Sequence, residues 1–217
     1  MKYSKEFKEA ISNLPSKEKD KLILRLLRKD IPLANRLLFE LVNTDSVEQQ
    51  RDKTEKMLLD LVSKNAKAGY YTIGYLNWDV RDLSGFINQH VNITKDKFGE
   101  AHLNLVMINE VLTLNRNFIL NSKPPAKRKK FCIAVIARVF KILLIINKLD
   151  DDFLIEFEEN LQVLGNLIAD NKFLMEEAIR NGLDVNWLTT PDIPEDIITI
   201  HKELRANGFL KYHIRSY

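Results

Sequence analysis

Six polar side chains in the middle of the chain have types and spacings that could carry chemistry: Asp79, Asp82, His90, His102, Asn109 and Glu110. His90 follows Asp82 by eight residues and Glu110 follows His102 by eight, so each pair falls near one helical face, two turns apart. In a hairpin of two antiparallel helices the set could converge on a divalent metal, or act as acid and base toward a substrate. The spacings that specify a metal are missing, since there is no Glu-x-x-His, no His-x-x-x-His and no HExxH. No metal or cofactor is therefore assigned. Asp79, Asp82, His90, His102 and Glu110 stand as weak catalytic candidates, and a structural role for both histidines is the simpler reading.

A second carboxylate arrangement also stops short. All-helical nucleoside triphosphate pyrophosphatases gather four carboxylates on magnesium from an ExxE and a following ExxD. Glu156 and Glu159 supply an ExxE, but no glutamate in the chain has an aspartate three residues on, and Glu176 with Glu177 is a degenerate substitute. The acidic run from Asp150 to Glu159 reads more simply as anions at a helix N-terminus.

Two cationic features remain. Lys127, Arg128, Lys129 and Lys130 form a basic patch that could meet the phosphates of nucleic acid or lipid. The run is short and has no interleaved aromatic residues, and the pI of 8.8 does not impose nucleic-acid binding, so a solvated turn is the expected state. Arg138 and Lys141 interrupt an otherwise apolar stretch. A buried arginine calls for a carboxylate, and Asp79, Asp82 and Glu110 are the candidates for an ion pair with Arg138, forming a fold-specifying network or the floor of an anion pocket.

The element that must position these groups is the stretch 131–149, FCIAVIARVFKILLIINKL. Ala134, Arg138, Lys141, Ile145 and Lys148 fall along one narrow seam and the rest is apolar, which predicts a central helix surrounded by others. Two cations near its middle argue against a membrane span. Upstream, Phe7, Ala10, Ile11 and Leu14 make one helical stripe, Leu22, Ile23, Leu26 and Leu27 a second, and Leu33, Leu37, Leu38, Leu41 and Val42 a third, each expected to face a neighbour. A helix from Ser46 to Ala68 follows, with Met57, Leu58, Leu61 and Val62 inward. The aromatic stretch Tyr70 to Trp78 is a helix start or an irregular connection, and a helix over 79–91 follows it. Thr94 is placed to cap a helix running from Lys95 to about Leu120, in which Phe98, Leu105, Leu112 and Ile119 recur every seven residues. The segment 121–130, NSKPPAKRKK, is the clearest linker, a subdomain boundary or a long turn. Asp150 to Asp152 are expected to cap the next helix, 173–180 forms a shorter one, 188–194 a loop, and Pro194 starts the last helix, before the tail FLKYHIRSY.

No stretch sustains a period of two, and glycine and proline number seven and six where average usage gives about fifteen and eleven, so the fold is all-α with short turns. The net charge of +3 hides an uneven distribution: 51–130 carries fourteen cations against eight anions, and 131–217 nine against fourteen. Cys132 is the only cysteine and the N-terminus lacks an apolar signal core, which together point to a reducing cytoplasm.

The N-terminal helices are similar in pattern to the antiparallel pairs of HEAT-like α-solenoid proteins, although no repeat of fixed period occurs. The fragment AIRNGLDVN (178–186) is similar to the end of an ankyrin repeat and occurs once. The segments DKLILRLLRKD (20–30), NITKDKFGEAHLNL (92–105) and GLDVNWL (182–188) resemble an uncharacterised family of small helical bacterial proteins, some of which carry a dUTP nucleotidohydrolase label. That resemblance implies an all-helical fold over most of the chain and transfers no catalytic residue. The expectation is a single cytoplasmic helical domain of 217 residues that works by binding another protein, without cofactor or membrane span. A metal-dependent nucleotide or phosphoester hydrolase is the alternative, and nucleic-acid binding through 127–130 a further one.

Overall fold

Five of the helices begin where a side chain accepts from a free amide of the first turn. The computed structural model describes residues 3–190 and 192–212, and of Asp151 only the backbone. Among the described residues there are twelve α-helices, one 3-10 turn and no strand, so the protein is all-α. In order they are α1 (Lys5–Ser12), α2 (Ser16–Leu27), α3 (Ile31–Leu41), α4 (Val47–Ala68), α5 (Ile73–Thr94), α6 (Lys97–Leu114), α7 (Arg116–Asn121), α8 (Pro125–Ile146), α9 (Ile155–Ala169), α10 (Lys172–Arg180), α11 (Asn186–Thr189) and α12 (Ile197–Ala206). Ser4 caps α1 by accepting from the Phe7 amide, Asp30 caps α3 by accepting from Leu33, and Ser46 and Gln49 form a reciprocal capping box at α4. Gly69 ends α4 with a φ of 76°, a left-handed value that favours glycine.

Several boundaries differ from the sequence reading, each for a local reason. Thr94 is the last residue of α5, and the cap of α6 is Asp96, whose carboxylate accepts from the Gly99 amide at 2.7 Å. The long helix expected over 95–120 breaks at Asn115, whose backbone amide and side chain both donate to the Val111 carbonyl, the side chain at 3.0 Å. The aromatic stretch is helical from Ile73 onward. The expected linker shrinks to Ser122–Pro124 because Pro125 can start a helix, and the basic run 127–130 becomes the first turns of α8. Residues 151–153 form a 3-10 turn, and α9 starts without a side-chain cap, so the aspartates do not cap it as expected. A short helix, α11, occupies the start of the expected 188–194 loop, and the last helix begins at Ile197 instead of Pro194. The last five residues of the aromatic and basic tail lie outside the described residues.

Burial follows from which helices are apolar on most sides. On α6, Ala101, Leu103, Leu105, Met107, Ile108 and Val111 are buried, and the helix packs against α4, α5, α8 and α9. On α8, Phe131, Ile136, Val139, Phe140, Ile142 and Leu143 are buried, and it packs against α5, α6, α10 and α12. Its exposed or half-buried positions include Ala134, Arg138, Lys141 and Ile145, and Lys148 just past its end is exposed. Met57, expected inward on α4, is exposed. By contrast, α1, α2 and α3 bury no residue at all.

Cys132 sits in this core, and burial, with Glu177 adding to it, pushes its thiol up to about 12. The thiolate is the reactive form. Ellman's reagent should therefore leave the folded protein unlabelled and titrate one thiol per chain in guanidinium, whereas rapid labelling of the native protein would contradict this burial.

Candidate functional site

The six polar residues singled out by spacing do not meet in one place. Asp79, on α5, accepts from Asn65 at 2.7 Å and from the Tyr70 hydroxyl at 2.5 Å. Burial, with the Asp79 carboxylate beside it, pushes the Tyr70 phenol well above its ordinary range. Asp82, one turn on, is exposed. His90 is buried, with Nε2 at 3.2 Å from Asp96 and Nδ1 at 3.4 Å from the Thr54 hydroxyl. His102 faces α4 instead, where Nε2 lies 2.7 Å from Glu55 and the ring stacks on Phe98. Asn109 donates to the Asn160 carbonyl of α9 at 2.9 Å, and Glu110 is half-buried with no polar partner among the described residues. Among the described residues, no three His, Cys, Asp or Glu side chains are grouped to hold a metal, and Glu156 and Glu159 are both exposed on α9.

The tightest electrostatic node is one that spacing did not reveal. The Asp96 side chain is 5% exposed, accepts from Arg51 Nε at 2.7 Å and from the Gly99 amide at 2.7 Å, and faces His90. Burial alone would raise its carboxyl, yet the hydrogen bonds from His90, Arg51 and Gly99 and the Arg51 charge hold it down at about 2. The Arg51 guanidinium also lies over the Phe98 ring, 4.5 Å from its centroid. An aspartate three residues before a glycine at a helix start was the available signal for the cap. Arg51, forty-five residues away, gave none.

Arg138 has no carboxylate partner among the described residues. Its guanidinium donates to Asn104 Oδ1 at 3.0 Å, and its Nε is buried without a partner. The expected partners Asp79, Asp82 and Glu110 form no ion pair with it. Burial lowers the Arg138 pKa to about 10. The neighbouring cation takes the carboxylate instead: Lys141 pairs with Glu100 at 3.0 Å, and Lys97 reaches the same carboxylate at 2.9 Å. Burial would raise the Glu100 carboxyl, but these two lysines outweigh it and lower it. Asn104 closes the ladder by donating to the Glu100 carbonyl, so the α6 to α8 seam is a polar network.

The basic run divides by function once it is helical. Arg128 donates to the Ser122 carbonyl at 2.7 Å and lies over Phe173, 3.5 Å from the ring centroid, while Lys129 reaches the buried Glu177 at 3.7 Å. These two tie the start of α8 to its surroundings. Lys127 and Lys130 instead border a cleft of about 290 Å³ opposite Tyr75 and Trp78 of α5. The aromatic residues absent from the basic segment itself are thus supplied by another helix. No protein-family model, no curated protein and no solved structure matches this chain. Its chemistry is read from its own residues.

Proposed function

We propose that the protein is a helical interaction module, and that α1 to α3 form the surface through which it binds protein, the first partner being a second copy of the chain. One observation carries this reading. Three successive amphipathic helices bury none of their residues, and leave Phe7, Ile23, Leu24, Leu26, Leu38 and Leu41 exposed, Leu41 to 78%. The stripes expected to face neighbours find none sufficient to cover them among the described residues. Exposed apolar side chains on three successive helices point to an interaction site.

The chemistry of the surface selects the occupant. Residues 1–50 carry ten cations against eight anions, so two copies meet without a large like-charge penalty. A groove of about 510 Å³ runs beside α3, with Leu38, Phe39, Val42 and Ile93 as its apolar part and Asn35, Asn43, Gln50 and Gln89 as its neutral polar part. Such a groove accepts the apolar face of an amphipathic helix. The chain owns one in α2, whose Ile23, Leu24 and Leu26 point away from its own core. A surface holding both groove and ridge is self-complementary, as a two-fold dimer requires.

Light scattering on the eluting protein tests this. A mass near twice 25.3 kDa is expected, falling to 25.3 kDa in the double variant Leu24→Lys with Leu38→Lys, whose circular dichroism should match the parent because both side chains are exposed. A parent that stays at 25.3 kDa up to hundreds of micromolar would rule out the second copy as occupant.

A further inference from the structure

We infer that the cleft between the starts of α5 and α8 is a binding site for a nucleobase bearing a phosphate, presented as a free nucleotide or as one unit of a single strand. It lies on residues separate from the α1 to α3 surface and stands independently of the dimer reading.

The first observation is a polar group with nothing to bond. Asn77 is 8% exposed, lines the cleft, and its side chain makes no hydrogen bond among the described residues. Its amide atoms are not sealed from solvent, so the carboxamide opens on the cleft and not on the core. A carboxamide without a protein partner that faces a cleft is a donor and acceptor pair suited to the edge of a base.

The second is a stacking platform. Tyr75 and Trp78, one turn apart on α5, sit edge to face at 5.5 Å and 80° and remain 52% and 61% exposed. Exposed rings held in fixed relation give a π-face that any base can stack on, without requiring a particular sequence.

The third is unspent positive charge. Of the four basic residues at the start of α8, Lys127 and Lys130 both line the cleft and form no ion pair among the described residues. Lys130 also lies 5.9 Å from the ring centroid of Tyr212. The start of α5 adds to this, because Thr72 makes no side-chain cap and lines the same cleft, leaving first-turn amides for an anion. Platform, amide and two ammonium groups around about 290 Å³ describe one ring system with one phosphate, at the small end of ligand sites.

The test uses the intrinsic fluorescence of the full chain. There are two tryptophans, and Trp187 is half-buried against Phe140, so Trp78 is the one a stacked base would quench. The probes are AMP, GMP, CMP and UMP, inorganic phosphate, and an eight-nucleotide single-stranded RNA. Saturable quenching by a nucleotide is expected. It should be lost in Trp78→Ala, weakened at least tenfold in Lys127→Gln with Lys130→Gln, and weakened severalfold in Asn77→Leu, with binding in Trp78→Ala followed by equilibrium dialysis. Phosphate alone should bind more weakly than any nucleotide. A mononucleotide binding as tightly as the RNA assigns the site to free nucleotides, and RNA binding more than tenfold tighter assigns it to a strand. The exposed lysine variants should fold as the parent does, which keeps the test open should Asn77→Leu misfold. Absence of saturable binding by every probe at millimolar concentration, or binding that survives the lysine and Trp78 substitutions, overturns the proposal.

Discussion

Replacing Asp96 by alanine should cost the fold about 3–5 kcal/mol, the range for removing one partner of a buried ion pair. The carboxylate does three things at once: it pairs with Arg51 from α4, faces His90 from α5 and caps α6 through Gly99. Its loss leaves a guanidinium and an imidazole without their acceptor and frees the first turn of α6. The substitution Asp96→Asn keeps the cap, since asparagine is as good an N-cap as aspartate, so it should recover about 1 kcal/mol of the loss and no more. Gly99→Ala attacks the same node from the other side, because a Cβ there would clash with the Asp96 carboxylate and lie 3.0 Å from Arg51 Nε. Denaturant titration at pH 7 measures all three. The pH dependence has a definite sign. With the carboxyl held down at about 2, Asp96 contributes stability that is present above the unfolded value near 3.8 and lost as pH falls through 2. The gap between the parent and Asp96→Asn should therefore close between about pH 4 and pH 2, on the order of 2 kcal/mol being at stake. A gap that holds constant to pH 2 would show that the charge of Asp96 contributes nothing.

What could be read from sequence depended on whether the signal was local. The start of α4 at Ser46 was legible because a cap acts on amides two or three residues away. The all-α class was legible because a 3.6-residue period repeats within each helix. The break between α6 and α7 at Asn115 was not, because asparagine also occurs inside helices, as Asn104 does in α6, so its presence alone marks no end. Spacing placed Asp82 with His90, and His102 with Glu110, but a shared face does not decide what that face meets. His90 meets Asp96 and His102 meets Glu55, partners that depend on how α4, α5 and α6 cross. The cleft was invisible for the same reason. Tyr75 and Trp78 precede Lys127 and Lys130 by some fifty residues, so the basic run on its own reads as a turn with no aromatic residues near it.

The second large effect concerns Arg138, and its form is a cycle of variants. Asn104→Leu removes the acceptor for a guanidinium whose pKa burial already lowers to about 10 and whose Nε has no partner, so the charge is left without its side-chain acceptor. That variant should lose about 3 kcal/mol, the cost of an uncompensated charged donor being above the 1–3 kcal/mol of a neutral one. Arg138→Met removes the charge but orphans Asn104 Oδ1, in a side chain buried almost completely, and should lose about 1–2 kcal/mol. The double variant removes both obligations and places two apolar side chains of similar volume in the seam between α6 and α8. It should regain most of what the single variants lose, because a buried polar pair exchanged for matched apolar groups is commonly neutral or stabilising. The coupling, read from denaturant midpoints with an unchanged slope, should reach about 2 kcal/mol or more. If the two single losses simply add, Arg138 and Asn104 do not act as a pair, and the stability of the seam rests on Lys141 and Glu100, the charge pair that bridges the same two helices at 3.0 Å.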